Sequence, residues 1–346
     1  MHFKIKNTIE KEIACCAEKL GKNYSLQKIS PLLLQYIKNF ICREGKRVRP
    51  TLFVLGYRGF SKKIPAGLYR SALSIELLHD FMLVHDDIID KSDTRRGKPS
   101  VHKMIDNYLC AFPPQKFSGT DLAIVVGDVL YAMGIDSFLT IKEAYPRKEA
   151  ALKQLIRAAL YTGSGEFIEL LYGTKTLEMI RKTDIYKIYD YKTAYYTFAS
   201  PLAIGAILAG ADKKEANRLI QYGIYLGRAF QIKDDILGMF GAEQKIGKST
   251  LTDLQEAKKT LLIWYAYNHS DNATKKLMQK ILDKKLVKRK DLLAMRRIIL
   301  ETKALDFAKK EVSSQLTAAK QILQSSQMRP AYKTMLDSYA AEILKL

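Results

Sequence analysis

The stretch Leu68–Asp90, LYRSALSIELLHDFMLVHDDIID, decides the fold. It runs its whole length without proline or glycine, and its apolar residues Ala72, Ile75, Leu78, Met82 and Ile89 recur at helical intervals. That spacing lines one face of a helix, whereas a half-buried strand would alternate at every second residue. Outward from this segment the same periodicity returns in Asp121–Ala144, Lys148–Leu171, Ala216–Leu237, Asp253–His269 and Arg289–Ser325. Strand-like alternation bounded by turn signals is scarce. The 346 residues include only nine prolines and 19 glycines, too few for a turn-rich all-β chain or a disordered one. Three breaks interrupt the helices: Arg95–Pro99, Ala111–Gly119 with Pro113 and Pro114, and Gly238–Gly247. Each is short and the helical pattern then resumes, so none reads as an interdomain linker. The expectation is one all-α domain over residues 1–346.

Basic residues number 57 against 36 acidic ones, a formal charge of +21. Such an excess attracts anions, whether nucleic acid, membrane headgroups or phosphorylated metabolites, and composition alone does not choose among them. Cys15, Cys16, Cys42 and Cys110 form no C-x-x-C pair and read as free thiols in a reducing compartment. The five histidines do not cluster with cysteines at zinc spacing. Charge interrupts the N-terminal Met1–Cys16 every few residues, unlike a signal peptide. The most apolar stretch, Ala194–Ala211, is broken by Pro201 and polar residues, so no stable membrane insertion is expected and the chain reads as cytoplasmic.

The chemistry sits at the end of the opening stretch. In His85-Asp86-Asp87-Ile88-Ile89-Asp90, Asp86 and Asp90 lie one helical turn apart on the same face. Like charges so placed repel, a conflict relieved when they share divalent cations. Magnesium suits such hard oxygen donors, because it keeps several waters and takes its remaining ligands from substrate phosphate. An exposed acidic helix end is the alternative reading of one such cluster. A second cluster changes the balance: Gln231, Asp234 and Asp235 stand at i, i+3 and i+4 among Phe230, Ile232, Ile236 and Leu237. Carboxylates in apolar company need a cation or a hydrogen-bond partner. Basic residues recur beside these motifs: Lys46, Arg47 and Arg49 before Pro50, then Arg95 and Arg96, Lys192, Lys248 and Lys258. Arginine forks and lysine ammonium groups both recognise phosphate oxygens.

From about Gly45 to Thr260 the chain resembles the trans-isoprenyl diphosphate synthases. The motifs that carry the likeness occur in the family's order: Gly-Lys-x-x-Arg-Pro at 45–50, Glu-Leu-Leu-His at 76–79, Asp-Asp-x-x-Asp at 86–90, Arg-Arg-Gly-x-Pro at 95–99, Gly-Asp at 127–128, Lys-Thr at 192–193, Gln-x-x-Asp-Asp at 231–235 and Gly-Lys-Ser at 247–249. The resemblance implies an all-α bundle around a deep central cavity, forming a homodimer. It implies that Asp86 and Asp90, supported by Asp87, hold two magnesium ions and that Asp234, beside Asp235, holds a third. Isopentenyl diphosphate would be bound by Lys46, Arg49, His79 and Arg96. The allylic diphosphate would be held by Arg95, Lys192, Thr193, Gln231, Lys248 and Lys258. Asp86, Asp90, Asp234 and Lys192 are the candidate catalytic residues.

Two departures stand out. Many relatives carry aspartate at the fifth position of the second motif, where this chain has Gly238. Where many read Gly-Gln-x-x-Asp, this chain reads Gly165-Glu166-Phe167-Ile168-Glu169. Neither removes Asp234 or Asp235. Phe81 and Met82 lie five and four residues before Asp86, about one turn below it at about 1.5 Å per residue. In relatives an aromatic there goes with geranylgeranyl diphosphate, with farnesyl diphosphate the runner-up. Gly247-Lys248-Ser249 is no phosphate-binding loop of the ATPase kind, since Ala242 replaces its first glycine. The basic run Lys284–Arg297 lacks interleaved aromatics, so nucleic acid is not an expected partner. A terpene cyclase or a non-catalytic synthase subunit would differ in its acidic motifs.

Overall fold

The computed structural model describes residues 2–241 and 251–345, and in it the stretch that opened the sequence reading forms helix α5 (Leu68–Ile89). Nearly all of α5 up to Asp80 is buried, including Ala72, Leu73, Ile75, Leu77 and Leu78 but also Ser71, Ser74, Glu76 and Asp80, so burial extends beyond the one face that the spacing marked. By contacts the chain divides into two compact units, Met1–Leu152 with Ile204–Gly210, and Lys153–Ala203 with Ala211–Leu346.

In the first unit α1 (His2–Asn23) buries Ile5, Ile9, Ile13, Cys16 and Leu20. The short α2 (Leu26–Ile29) and α3 (Pro31–Ile41) follow, and α4 (Val48–Phe60) precedes α5. The only strands among the described residues, β1 (Thr94–Arg95) and β2 (Lys98–Pro99), pair antiparallel beyond the end of α5. Next come α6 (Val101–Leu109) and α7 (Gly119–Leu139). Ser118 and Asp121 form a capping box that fixes where α7 begins. α7 lies close along α5, because a Cβ on Gly127 would come within 2.3 Å of His85 Nε2. By length and composition α7, not Ala194–Ala211, is the described helix apolar enough to cross a membrane. Its Ala123, Val126, Leu130, Met133 and Phe138 are buried in this unit.

α8 spans Tyr145–Gly173. In the second unit α9 (Lys182–Ile188) runs into a π-helix over Tyr189–Ala199; α10 (Ser200–Leu208) begins in this unit and ends in the first, and α11 (Lys213–Phe240) belongs to the second. Gly223 and Gly227 let α11 sit against the π-helix: a Cβ on either would lie 2.4 Å from the Cα of Ala199 or Ala194. The helix expected over Asp253–His269 is broken into Thr252–Gln255 and Leu261–Asn268. Ala257 is left-handed there (φ 50°), and Thr260 Oγ1 accepts from Ile263 N to start the second piece. The helix expected over Arg289–Ser325 is likewise two, Arg289–Glu301 and Ala304–Ser325, parted at Lys303 (φ 58°). α11 continues through Gly238 to Phe240, so Gly238 itself is helical rather than the start of a break; the rest of the expected loop, residues 242–250, lies outside the described residues.

Candidate active site

The last turn of α5 separates its three aspartates. Asp86 is half-buried, and Asp90 caps the helix, its N–H donating to Asp86 O at 2.8 Å. Asp87 turns inward, fully buried, and accepts from Arg95 Nε at 2.7 Å. Burial works against the charge on Arg95, but the Asp87 hydrogen bond and the charges of Asp87, Asp86 and Asp90 outweigh it and hold the guanidinium protonated. Arg95 thus stands among all three carboxylates of the motif.

Four arginines of the first unit lie near enough to His79 for their charges to act on it. Burial, then the charges of Arg49, Arg96, Arg95 and Arg47, push its imidazole well below the usual range, so it is neutral at physiological pH. Arg96 reaches Asp80 at 3.7 Å from the tight turn between β1 and β2, where it and Gly97 both take left-handed backbone (φ 55° and 71°). Two buried arginines hold these pieces. Arg43 donates to Arg95 O (3.2 Å) and Pro99 O (2.8 Å), fastening the hairpin. Arg47, left-handed at φ 52°, pairs with Glu10 on α1 (2.9 Å) and Glu76 on α5 (2.8 Å) and donates to Arg43 O (2.6 Å). Of the three bases in Lys46-Arg47-Val48-Arg49, Lys46 is exposed, Arg49 half-buried and Arg47 interior.

Below Asp86, the Phe81 ring meets His85 (centroids 4.7 Å apart) and Tyr131 of α7 (5.4 Å), both edge-on. Tyr131 carried no signal in the sequence, because only the α5–α7 packing brings it to Phe81. Met82 is half-buried beside Phe81.

In the second unit the π-helix carries Lys192 and Thr193. Thr193 Oγ1 donates to Gln231 Oε1 (2.7 Å), and Gln231 Nε2 donates to Asp235 Oδ1 (2.9 Å). Tyr189 OH donates to the other Asp235 oxygen and accepts from Leu261 N at 3.0 Å. Burial, with the charges of Asp253 and Asp234, pushes the Asp235 carboxyl up to about 8, against the pull of its hydrogen bonds. Asp234, its neighbour on α11, is exposed. Lys192 is gripped by Glu166 (2.5 Å) and Glu169 of α8. Lys258 pairs with Glu256 (2.6 Å) and Asp253 (3.4 Å). Burial opposes its charge, but Asp253, Glu169 and Glu256 prevail and keep it protonated. Asp253 also lies where a side chain on residue 238 would be, its Oδ2 2.2 Å from a Cβ built on Gly238. Lys248 lies outside the described residues.

Of the five aspartates read as metal ligands, Asp87 and Asp235 are therefore turned inward onto partners, while Asp86, Asp90 and Asp234 are the more accessible. Among the described residues no three acidic, histidine or cysteine side chains converge on one point as an ion cage. The carboxylate oxygens of Asp86, Asp90 and Asp234 are the hard donors that magnesium takes, with water and substrate phosphate completing its shell.

The polyprenyl synthetase family model matches residues 30–299. The chain belongs to the polyprenyl synthetase family. Such enzymes are prenyltransferases, all-α and magnesium-dependent. The synthetase is 33% identical over 283 residues to a short chain isoprenyl diphosphate synthase of Methanocaldococcus jannaschii, covering 77% of this chain and 79% of that protein. It is 30% identical over 280 residues to a geranylgeranyl diphosphate synthase of Sulfolobus acidocaldarius, covering 80% and 79%. The crystal structure of a geranylgeranyl pyrophosphate synthase from Corynebacterium glutamicum, complexed with isoprenyl diphosphate and magnesium, superposes with a TM-score of 0.88. It covers 99% of this chain and 98% of that one at 23% identity, a likeness of fold.

Proposed function

We propose that this synthetase joins isopentenyl diphosphate to an allylic diphosphate and stops at the twenty-carbon geranylgeranyl diphosphate. The observation that carries the reading is the sorting of acids and bases: each unit sets accessible aspartates beside cations able to hold phosphate. In the first, Asp86 and Asp90 accompany Arg95, Arg96, Arg49, Lys46 and neutral His79. In the second, exposed Asp234 adjoins Asp235, whose hydrogen bonds lead through Gln231 to Thr193, and Lys192 and Lys258 both feel Glu169, with Lys248 following in sequence. We assign the first set of bases, Arg95 excepted, to isopentenyl diphosphate. The second set serves the allylic diphosphate, and the acidic motif of each unit would hold metal ions. Two ions would be held by Asp86 and Asp90, and a third by Asp234.

Bound magnesium would neutralise the diphosphate as it becomes a leaving group. Lys192 and Lys258 add positive charge at the oxygens where negative charge develops, the most effective place for it. Arg95, locked by Asp87, has one fixed orientation and loses little freedom on binding. His79, lacking a charge, acts as a hydrogen-bond group among arginines. The double bond of isopentenyl diphosphate then attacks the allylic carbon, and the departing diphosphate accepts the released proton. Phe81, backed by Tyr131, would form the floor that stops the growing chain. The names of the relatives, which include geranylgeranyl diphosphate synthases, support the twenty-carbon length.

The exposed Leu122, Ile124, Val125 and Leu139 of α7 leave an apolar face that a second copy would cover, and we infer a cytoplasmic homodimer. Incubating the purified chain with labelled isopentenyl diphosphate and each allylic primer, then separating the products by length, tests the function. A twenty-carbon product is expected. Hydrocarbon made without isopentenyl diphosphate would point instead to a cyclase.

A further inference from the structure

The two lysines assigned to the allylic diphosphate do not stand in a basic patch. Lys192 lies between Glu166 and Glu169, which are one turn apart on α8 and close on its ammonium from two sides. Gly165 permits this approach, since a Cβ there would meet Lys192 N at 2.5 Å. Lys258 pairs with Asp253 and Glu256 and feels Glu169 as well. Glu169 thus serves both lysines, and four carboxylates surround two ammonium groups. All of these side chains are largely shielded; those of Lys192, Glu166 and Glu169 are 23%, 16% and 22% exposed.

An ammonium has three N–H donors. Two on Lys192 are already committed to carboxylates. A diphosphate that takes this lysine must compete with them, and a like charge beside a phosphate oxygen costs affinity. Glu169 acts on Lys258 as well, whereas Glu166 pairs with Lys192 and is not among the charges that hold Lys258 protonated. We propose that Glu166 is a positioning residue that competes with the allylic diphosphate for Lys192 and so sets a weaker grip on that substrate. The ion pair holds Lys192 oriented before the substrate arrives. It also draws the ammonium back from the released diphosphate, which favours product release. The inference rests on the assignment of Lys192 to the allylic diphosphate.

The test is Glu166→Gln, which keeps the shape and the acceptor oxygen but removes the charge, with Glu166→Asp as the charge-retaining control. Far-UV circular dichroism and thermal melting establish that both variants fold. In Glu166→Gln the KM for the allylic diphosphate is expected to fall roughly fivefold, the size of one partly exposed ion pair, while the KM for isopentenyl diphosphate stays at the wild-type value. Glu166→Asp is expected to stay near wild type for both. Calorimetric titration with inorganic pyrophosphate and magnesium, which needs no turnover, should show tighter binding to Glu166→Gln by a similar factor. Wild-type turnover with an unchanged or raised allylic KM in Glu166→Gln overturns the inference and leaves the proposed function standing. A Glu166→Asp variant that behaves like Glu166→Gln also overturns it, because charge would then not be the cause. Absence of turnover in the wild type, with no pyrophosphate binding, removes both.

Discussion

Asp86 and Asp87 are adjacent and chemically identical, yet one is accessible and the other fully buried against Arg95. Asp234 and Asp235 repeat the division, with Asp235 bonded to Tyr189 and Gln231. Spacing marked all four as candidates but could not sort them, since the sorting depends on partners from distant segments. The account predicts that Asp86→Ala and Asp234→Ala each lose turnover on the order of 100-fold or more while staying folded, as the loss of a transition-state charge contact does. Product formation and circular dichroism measured on the same samples check this. His79 gives a prediction in pH. Its folded-state value is depressed, so the stability it allows is present above about pH 6.5 and is lost as pH falls below that. The melting temperature of the wild type should therefore drop more steeply between about pH 7 and pH 5 than that of His79→Gln. Parallel curves would place His79 outside the cluster of arginines.

At the scale of elements, the long periodic helices were readable because burial and period agree in them: α5, α7, α8 and α11 all begin and end within a few residues of their apolar patterns. The breaks at Ala257 and Lys303 were not, for neither a glycine nor a proline marks them and the apolar period runs on across both. The π-helix carrying Lys192 was equally hidden, since a wider turn has no residue signature of its own. Its position depends on Gly223 and Gly227. Gly227→Ala is expected to lower stability by about 1–3 kcal/mol, the usual penalty for overpacking, because the new methyl meets backbone rather than a movable side chain. Urea unfolding measures it, and a loss well below that range would show that the two helices can part freely. On α5, Phe81→Ala should lengthen the product, by opening the space bounded by Tyr131. An unchanged product distribution removes Phe81 from the floor.

For the molecule as a whole, the all-α class followed from one repeated period, and the chemistry followed from motifs in a fixed order. The arginines that organise the first unit were legible only in part. Arg47 sits inside a recognised motif, yet its role as a buried tie between Glu10 and Glu76 needs α1 folded against α5. Nor does composition show what the net charge of +21 is for, since Lys192 and Lys258 are each held by carboxylates. If two copies cover the exposed face of α7, light scattering will give about twice 39.4 kDa, and Val125→Glu will shift the mass toward one copy. A monomeric wild type would leave that face without its proposed cover.

The claim beneath all of this is that the chain transfers a prenyl group with metal help. Its most direct measurement follows label from isopentenyl diphosphate into a longer prenyl diphosphate, using purified protein, an allylic primer and magnesium, before and after a chelator is added. The account predicts steady incorporation that stops with the chelator and returns with excess magnesium. No incorporation with any primer, or incorporation indifferent to the chelator, would contradict it.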